Sequence, residues 1–179
     1  AMTVRPVRLA HIVFLTADLQ RMIDWYCTVL GAHVVNRNDH IAFLTYDDEH
    51  HRVALIAPPG IAPRPEGPTV GFYHSAFTYA GLRELIEVYD HLRAQGIEPR
   101  RTINHGPTIS FYYTDPDGND VELQVDRFED ALEAQEWMKG PEFTANPIGI
   151  DLEVEDLRRR LESGESIASI MRRADESPE

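Results

Sequence analysis

The sequence predicts an α+β fold in which two βαβββ modules are followed by a helical tail. Three observations carry this. One plan is written twice along the chain, each copy holds an amphipathic helix closed by a glycine, and the strand pattern stops near residue 126.

The two copies are "LAHIVFLTADLQRMIDWYCTVLGAHVV" at 9–35 and "GFYHSAFTYAGLRELIEVYDHLRAQGIEP" at 71–99. Each opens with a strand that carries a central histidine, His11 or His74, seven residues before the helix start near Asp18 or Gly81. In the first helix Leu19, Met22, Ile23 and Tyr26 recur at i, i+3, i+4 and i+7, and Leu82, Leu85, Ile86 and Tyr89 do so in the second. Gly31 and Gly96 stand where a left-handed cap ends a helix.

Three strand-like runs follow each helix, at 32–37, 40–46 and 51–57 and again at 97–103, 108–114 and 119–125. "DPDGND" at 115–120 is a turn, with Gly118 supplying the positive φ. The paired modules, about 7–57 and 70–126, are joined by the Pro/Gly linker 58–69, and their sheets can curl together around a shared cleft. Residues 127–179 read as short helices, "FEDALEAQEWMKG", "VEDLRRRLESG" and "SIASIMRRA", separated by "PEFTANPIGI". This acidic extension is expected to pack on the core or on a neighbouring subunit.

Composition narrows the function. With 17 Lys and Arg against 30 Asp and Glu, the formal charge is −13, which argues against nucleic-acid and acidic-membrane partners. The basic run "LRRRL" at 157–161 is flanked by acids and reads as a solvated helix face. A single cysteine, Cys27, excludes an intrachain disulfide. No apolar run reaches a membrane span and no signal peptide is recognisable, so a cytoplasmic location is expected.

The chemistry starts from Glu122, a carboxylate within the apolar strand "VELQV". A buried charge needs a cation, strong donors or water. Alternation puts Glu122 on one face with Asp120 and Gln124, opposite Val121, Leu123 and Val125. His74 shares its face with Phe72 and Ala76, and His11 with Leu9 and Val13. A lone strand histidine usually packs in a core or on a surface. Two at equivalent places in two repeats, with a carboxylate to complete the set, point instead to a 2-His-1-carboxylate triad, the ligand set of non-haem Fe(II). The repeat puts Ala54 opposite Glu122, so no fourth ligand is expected and at least three metal positions stay open.

Residues 7–126 resemble the vicinal oxygen chelate superfamily of glyoxalases, epimerases, fosfomycin-resistance proteins and extradiol dioxygenases. "DPDGNDVEL" is common to all of these. Narrower features resemble the single-domain type I extradiol ring-cleavage dioxygenases. They are the spacing of His105, Phe111, Tyr112, Asp115, Pro116, Gly118 and Glu122, the segment "DEHHRVALIAP" at 48–58, and the helix "MIDWYCTVLG".

The resemblance implies a paired-module sheet around a metal cleft. His11, His74 and Glu122 would bind Fe(II), with Mn(II) possible. His51 would be the acid–base near dioxygen, with His50 its rival, and His105 and Tyr112 would hydrogen-bond the substrate oxygens. It further implies a catecholic substrate of catechol or 2,3-dihydroxybiphenyl type, O2 as co-substrate, a role in aromatic-compound catabolism, and a homo-oligomer. Two alternatives stay open: a metal-dependent isomerase or lyase of glyoxalase type, and a metal-free protein that binds an aromatic drug. The loop after His105, "GPTI", is short and lacks the Asp that such relatives often carry there.

Overall fold

A computed structural model describes residues 4–65, 67 and 69–176, which form two compact units. The first runs to Gly71 and takes in Asp115–Asn119; the second holds Phe72–Thr114 and everything described from Asp120 onward.

In the first unit the order is β1 (Ile12–Leu15), α1 (Leu19–Leu30), β2 (His33–Arg37), β3 (Ile41–Thr45) and β4 (Val53–Ile56). The sheet order is β1-β4-β3-β2, with β1 parallel to β4 and the other pairs antiparallel. Helix α1 starts because the Asp18 carboxylate accepts the Arg21 N–H, and it stops because Gly31 takes φ 62°. Its Leu19, Met22, Ile23, Tyr26 and Val29 are buried, and it packs against β2, β3 and β4, whose Ala42, Leu44, Val53 and Leu55 are buried too.

The second unit holds β5 (His74–Tyr79), α2 (Leu82–Arg93), β6 (Arg101–Asn104), β7 (Thr108–Thr114) and β8 (Asp120–Asp126). The tail adds α3 (Ala131–Trp137), α4 (Pro141–Ala145), β9 (Ile150–Asp151), α5 (Val154–Glu162) and α6 (Ile167–Met171). Five strands form a sheet in the order β5-β8-β7-β6-β9. Its apolar face carries Phe111, Tyr113, Val121, Leu123 and Val125, all buried, and α2 covers part of it with Leu82, Leu85, Ile86, Tyr89 and Leu92. No helix among the described residues is long and apolar enough to cross a membrane.

The α+β class and the repeated helix-and-strand plan are as read from the sequence. Several boundaries differ, for identifiable reasons. His11 precedes β1 and His74 is the first residue of β5, so neither histidine is central in its strand. The β1 ladder cannot begin before Ile12, because its parallel partner β4 begins at Val53. Residues before Val53 are held in a turn, in which the Arg52 guanidinium clamps the Asp47 carboxylate and donates to the Leu9 and Ala10 carbonyls. The run at 97–103 becomes strand only from Arg101, as the Ile97 N–H is used to close α2 on Leu92 and the first bond to β7 comes from the Arg100 N–H to the Tyr112 carbonyl. "PEFTANPIGI", which reads as a separator, contains α4 and the first residue of β9. Pro141 suits a first helical turn, and the open edge of β6 offers Asn104 and Ile103 as partners for Ile150 and Asp151.

Candidate active site

The expected ligands and catalytic residues divide between the two units. His11 and His51 belong to the first, and His74, His105, Tyr112 and Glu122 to the second.

In the first unit three imidazoles cluster at the start of β1 and β4. The His11 and His51 ring centroids are 4.3 Å apart, and Nδ1 of His50 lies 2.6 Å from Nδ1 of His51. His51 precedes β4 by two residues, before the pleat begins, so Ala54's facing does not dictate its direction. The edge of Phe43 supports its ring at 5.1 Å. Burial, then the neighbouring His11 and His50 rings, pushes the His51 pKa below the ordinary imidazole value. His50 and His51 share one hydrogen bond, so one must donate while the other accepts.

In the second unit β8 lies between β5 and β7, and its register places Glu122 beside Ala76 on one side and Tyr112 on the other. Glu122 is 5 % exposed, and its Oε2 stands 3.0 Å from Nε2 of His74. Two adjacent ligands of a divalent cation, each bonded at about 2.1 Å, are separated by about that distance, so the pair fits two corners of a metal site. An imidazole and a carboxylate also suit Fe(II) or Mn(II) by donor type. His74 Nδ1 is buried and meets no hydrogen-bond partner among the described residues. The ring is oriented instead by Glu122 and by edge contacts with Tyr73 and Tyr112. Among the described residues no group of three or more His, Cys, Asp or Glu side chains is gathered as metal ligands.

Tyr112 links this pair to His105. Its hydroxyl lies 2.8 Å from Nε2 of His105, whose Nδ1 is 2.5 Å from the carbonyl oxygen of Ile148. A carbonyl only accepts, so Nδ1 carries the hydrogen; a neutral ring then presents its Nε2 lone pair to the Tyr112 hydroxyl. Burial lowers the His105 pKa and favours that neutral ring. Burial first, and then the Glu122 carboxylate, raise the Tyr112 pKa well above the ordinary phenol value. At neutral pH Tyr112 is therefore an O–H donor.

Sequence reasoning misses the supports of His105. Asn104 is buried, donates from Nδ2 to the Met171 carbonyl and accepts the Gly106 N–H. The Ile148 carbonyl is backbone and carries no side-chain signal. The one cue is Gly149 in "NPIGI", which adopts φ 96°.

Comparison with known proteins gives a consistent picture. The family model described as the Glyoxalase/Bleomycin resistance protein/Dioxygenase superfamily matches residues 8–123. The chain is 45 % identical over 170 residues to biphenyl-2,3-diol 1,2-dioxygenase 2 of Rhodococcus globerulus, covering 94 % of this chain and 88 % of that protein. It is 53 % identical over 149 residues to biphenyl-2,3-diol 1,2-dioxygenase 3 of the same organism, covering 83 % and 78 % respectively. Among solved structures, lactoylglutathione lyase from Agrobacterium tumefaciens matches with a TM-score of 0.55 at 23 % identity, over 67 % of this chain and 94 % of that one. That likeness speaks for the fold alone.

Proposed function

Because the chain belongs to the glyoxalase/bleomycin resistance protein/dioxygenase superfamily, we propose that it is an extradiol dioxygenase, cleaving a catecholic ring beside the diol with O2. The observation that carries the reading is the similarity to two biphenyl-2,3-diol dioxygenases along most of both chains. Biphenyl-2,3-diol is accordingly the first substrate to test, with simple catechols beside it.

In this reading His11, His74 and Glu122 would hold a divalent metal, Fe(II), with Mn(II) accommodated by the same donors. When bound, the metal would supply the Lewis-acid and redox chemistry by which a catecholic ring reacts with dioxygen. Two neutral imidazoles and one carboxylate leave it a net single positive charge, which a monoanionic catecholate neutralises.

The chain's own residues handle the protons. Tyr112 offers an O–H, and His105 Nε2 is its acceptor. A substrate hydroxyl that hydrogen-bonds to the Tyr112 oxygen can pass its proton there, as the phenol proton moves to His105 Nε2. The Ile148 carbonyl stabilises the resulting imidazolium through Nδ1–H. His51 is assigned the acid–base step on the dioxygen side, with His50 its hydrogen-bonded neighbour. The Tyr112–His105 pair favours this reading over a glyoxalase-type isomerase or lyase, which would use the ligands and leave the pair idle.

The test is direct. Protein loaded anaerobically with Fe(II), then given air and biphenyl-2,3-diol, should form a yellow ring-fission product with stoichiometric uptake of O2. Stoichiometric iron with every catechol left intact would replace this reading with the isomerase or lyase.

A further inference from the structure

Arg173 is 2 % exposed, and the chemistry above makes no use of it. Its Nη1 donates to the carbonyls of His105 at 3.2 Å and Asn146 at 2.7 Å. Nη2 donates to the Glu142 carbonyl at 2.8 Å, and Nε to the Asp175 carboxylate at 2.6 Å. The guanidinium also lies over the Trp137 ring, 5.6 Å from its centroid. Trp137 in turn covers Gly106, where an added Cβ would come within 2.0 Å of the indole. One buried cation thus joins the His105 backbone to the 141–149 segment.

That segment ends in a tight turn. Asn146 Oδ1 accepts the Gly149 N–H at 2.9 Å, and its Nδ2 donates to the Gly149 carbonyl at 3.1 Å. The turn presents the Ile148 carbonyl to His105 Nδ1. Left to itself, a neutral histidine side chain favours the Nε2–H tautomer, which could not accept from Tyr112.

We propose that Arg173 is a positioning residue for His105: by tying the His105 carbonyl and the 146–149 turn to one guanidinium, it keeps the Ile148 carbonyl on Nδ1 and the lone pair on Nε2. Lysine cannot replace it, because a single ammonium lacks the planar fork that serves three carbonyls at once. The consequence for turnover rests on the dioxygenase reading; the tautomer does not.

The experiment is ring 15N NMR of His105 in the full chain at neutral pH without paramagnetic metal. It compares the parent protein with Arg173→Lys, Gly149→Ala and Arg158→Met, each with its thermal transition. Gly149→Ala displaces the turn without touching Arg173, since its Cβ would lie 2.2 Å from the Asn104 oxygen and 2.7 Å from the His105 Cα. Arg158→Met removes a tail contact, to Asp90, that involves none of the residues around His105.

The parent and Arg158→Met should show a protonated Nδ1 and a bare Nε2. Arg173→Lys and Gly149→Ala should shift His105 toward the Nε2–H form. With Fe(II) restored, both should lose about tenfold or more in kcat with KM changed by less than about twofold. An unchanged tautomer in folded Arg173→Lys and Gly149→Ala overturns the proposal, as does a loss of kcat with no tautomer change. If Arg173→Lys has no cooperative transition, Arg173→Gln takes its place and is read against the same tautomer outcomes, because Gly149→Ala tests the turn and not Arg173. A tautomer shift in a protein that turns over no catechol would sustain Arg173's role and remove the dioxygenase reading instead.

Discussion

Nε2 of His74 and Oε2 of Glu122 stand 3.0 Å apart on the neighbouring parallel strands β5 and β8. The carboxylate is buried, yet the neighbours the structure gives it are an imidazole and a phenol, with no Lys or Arg within salt-bridge distance among the described residues. An anion so placed is costly without a cation. A divalent metal held by this pair, as proposed, would resolve that cost and draw on the separation already present.

Glu122→Gln keeps the shape and removes the charge. It should weaken divalent-metal binding by about a hundredfold or more, since even residues that merely orient ligands cost about 10–100-fold. Anaerobic Fe(II) or Mn(II) titration followed by calorimetry reads this out. Unchanged affinity would remove Glu122 from the ligand set.

Tyr112→Phe deletes the hydroxyl that reaches His105 Nε2 and leaves the ring packed against His74. Bound iron should be unaffected while kcat on a catechol falls by about a hundredfold, the usual scale for one acid–base partner. His51→Ala should likewise retain iron and lose about a hundredfold in kcat. A parallel loss of iron in either variant would assign that residue to the metal instead.

Much of this arrangement is legible in the amino-acid pattern. Alternation in "VELQV" sets the faces of β8, so burial of Val121, Leu123 and Val125 follows from it, while the register that puts Glu122 beside Tyr112 is seen only in the structure. The Asp115–Gly118 turn is equally readable, because Gly118 is needed at φ 83°. The support of His105 is not. It runs through the backbone carbonyls of Ile148, Asn146 and Glu142, and through an arginine 68 residues away that reads as one more tail charge. Carbonyls are present at every residue, so sequence cannot single out three of them. The pattern sets His11 and His74 mid-strand because apolar runs extend beyond the paired ladder, and pairing depends on partners the run itself does not reveal.

Tyr26 offers a test of stability. Its hydroxyl donates to Asp115 at 3.0 Å, and the same carboxylate accepts the Asp117 and Asn119 backbone N–H groups and the Asn119 amide. Tyr26→Phe removes one donor of these four and should cost about 1 kcal/mol in urea unfolding. Asp115→Ala strands the buried donors together and should cost more, about 2–4 kcal/mol. Equal costs would mean that the turn does not depend on Asp115.

Glu165 links the tail's stability to acid. The Arg160 guanidinium grips its carboxylate at 2.8 and 2.6 Å and the Ser169 hydroxyl donates at 2.6 Å, and together these hold its pKa down at about 2. Because the folded value lies below the unfolded one, ordinarily near 4.5, the contribution is fully present above about pH 5. It fades as pH falls from there toward 2, since the unfolded chain takes up the proton near 4.5 and the folded one only near 2. Glu165→Gln should therefore lower Tm at neutral pH, and the gap from the parent should close as the pH is lowered through this window. The carboxylate is partly exposed, so the gap should also shrink in salt. A gap that stays constant down to about pH 2 would show that the Arg160–Glu165 pair does not couple the tail to pH.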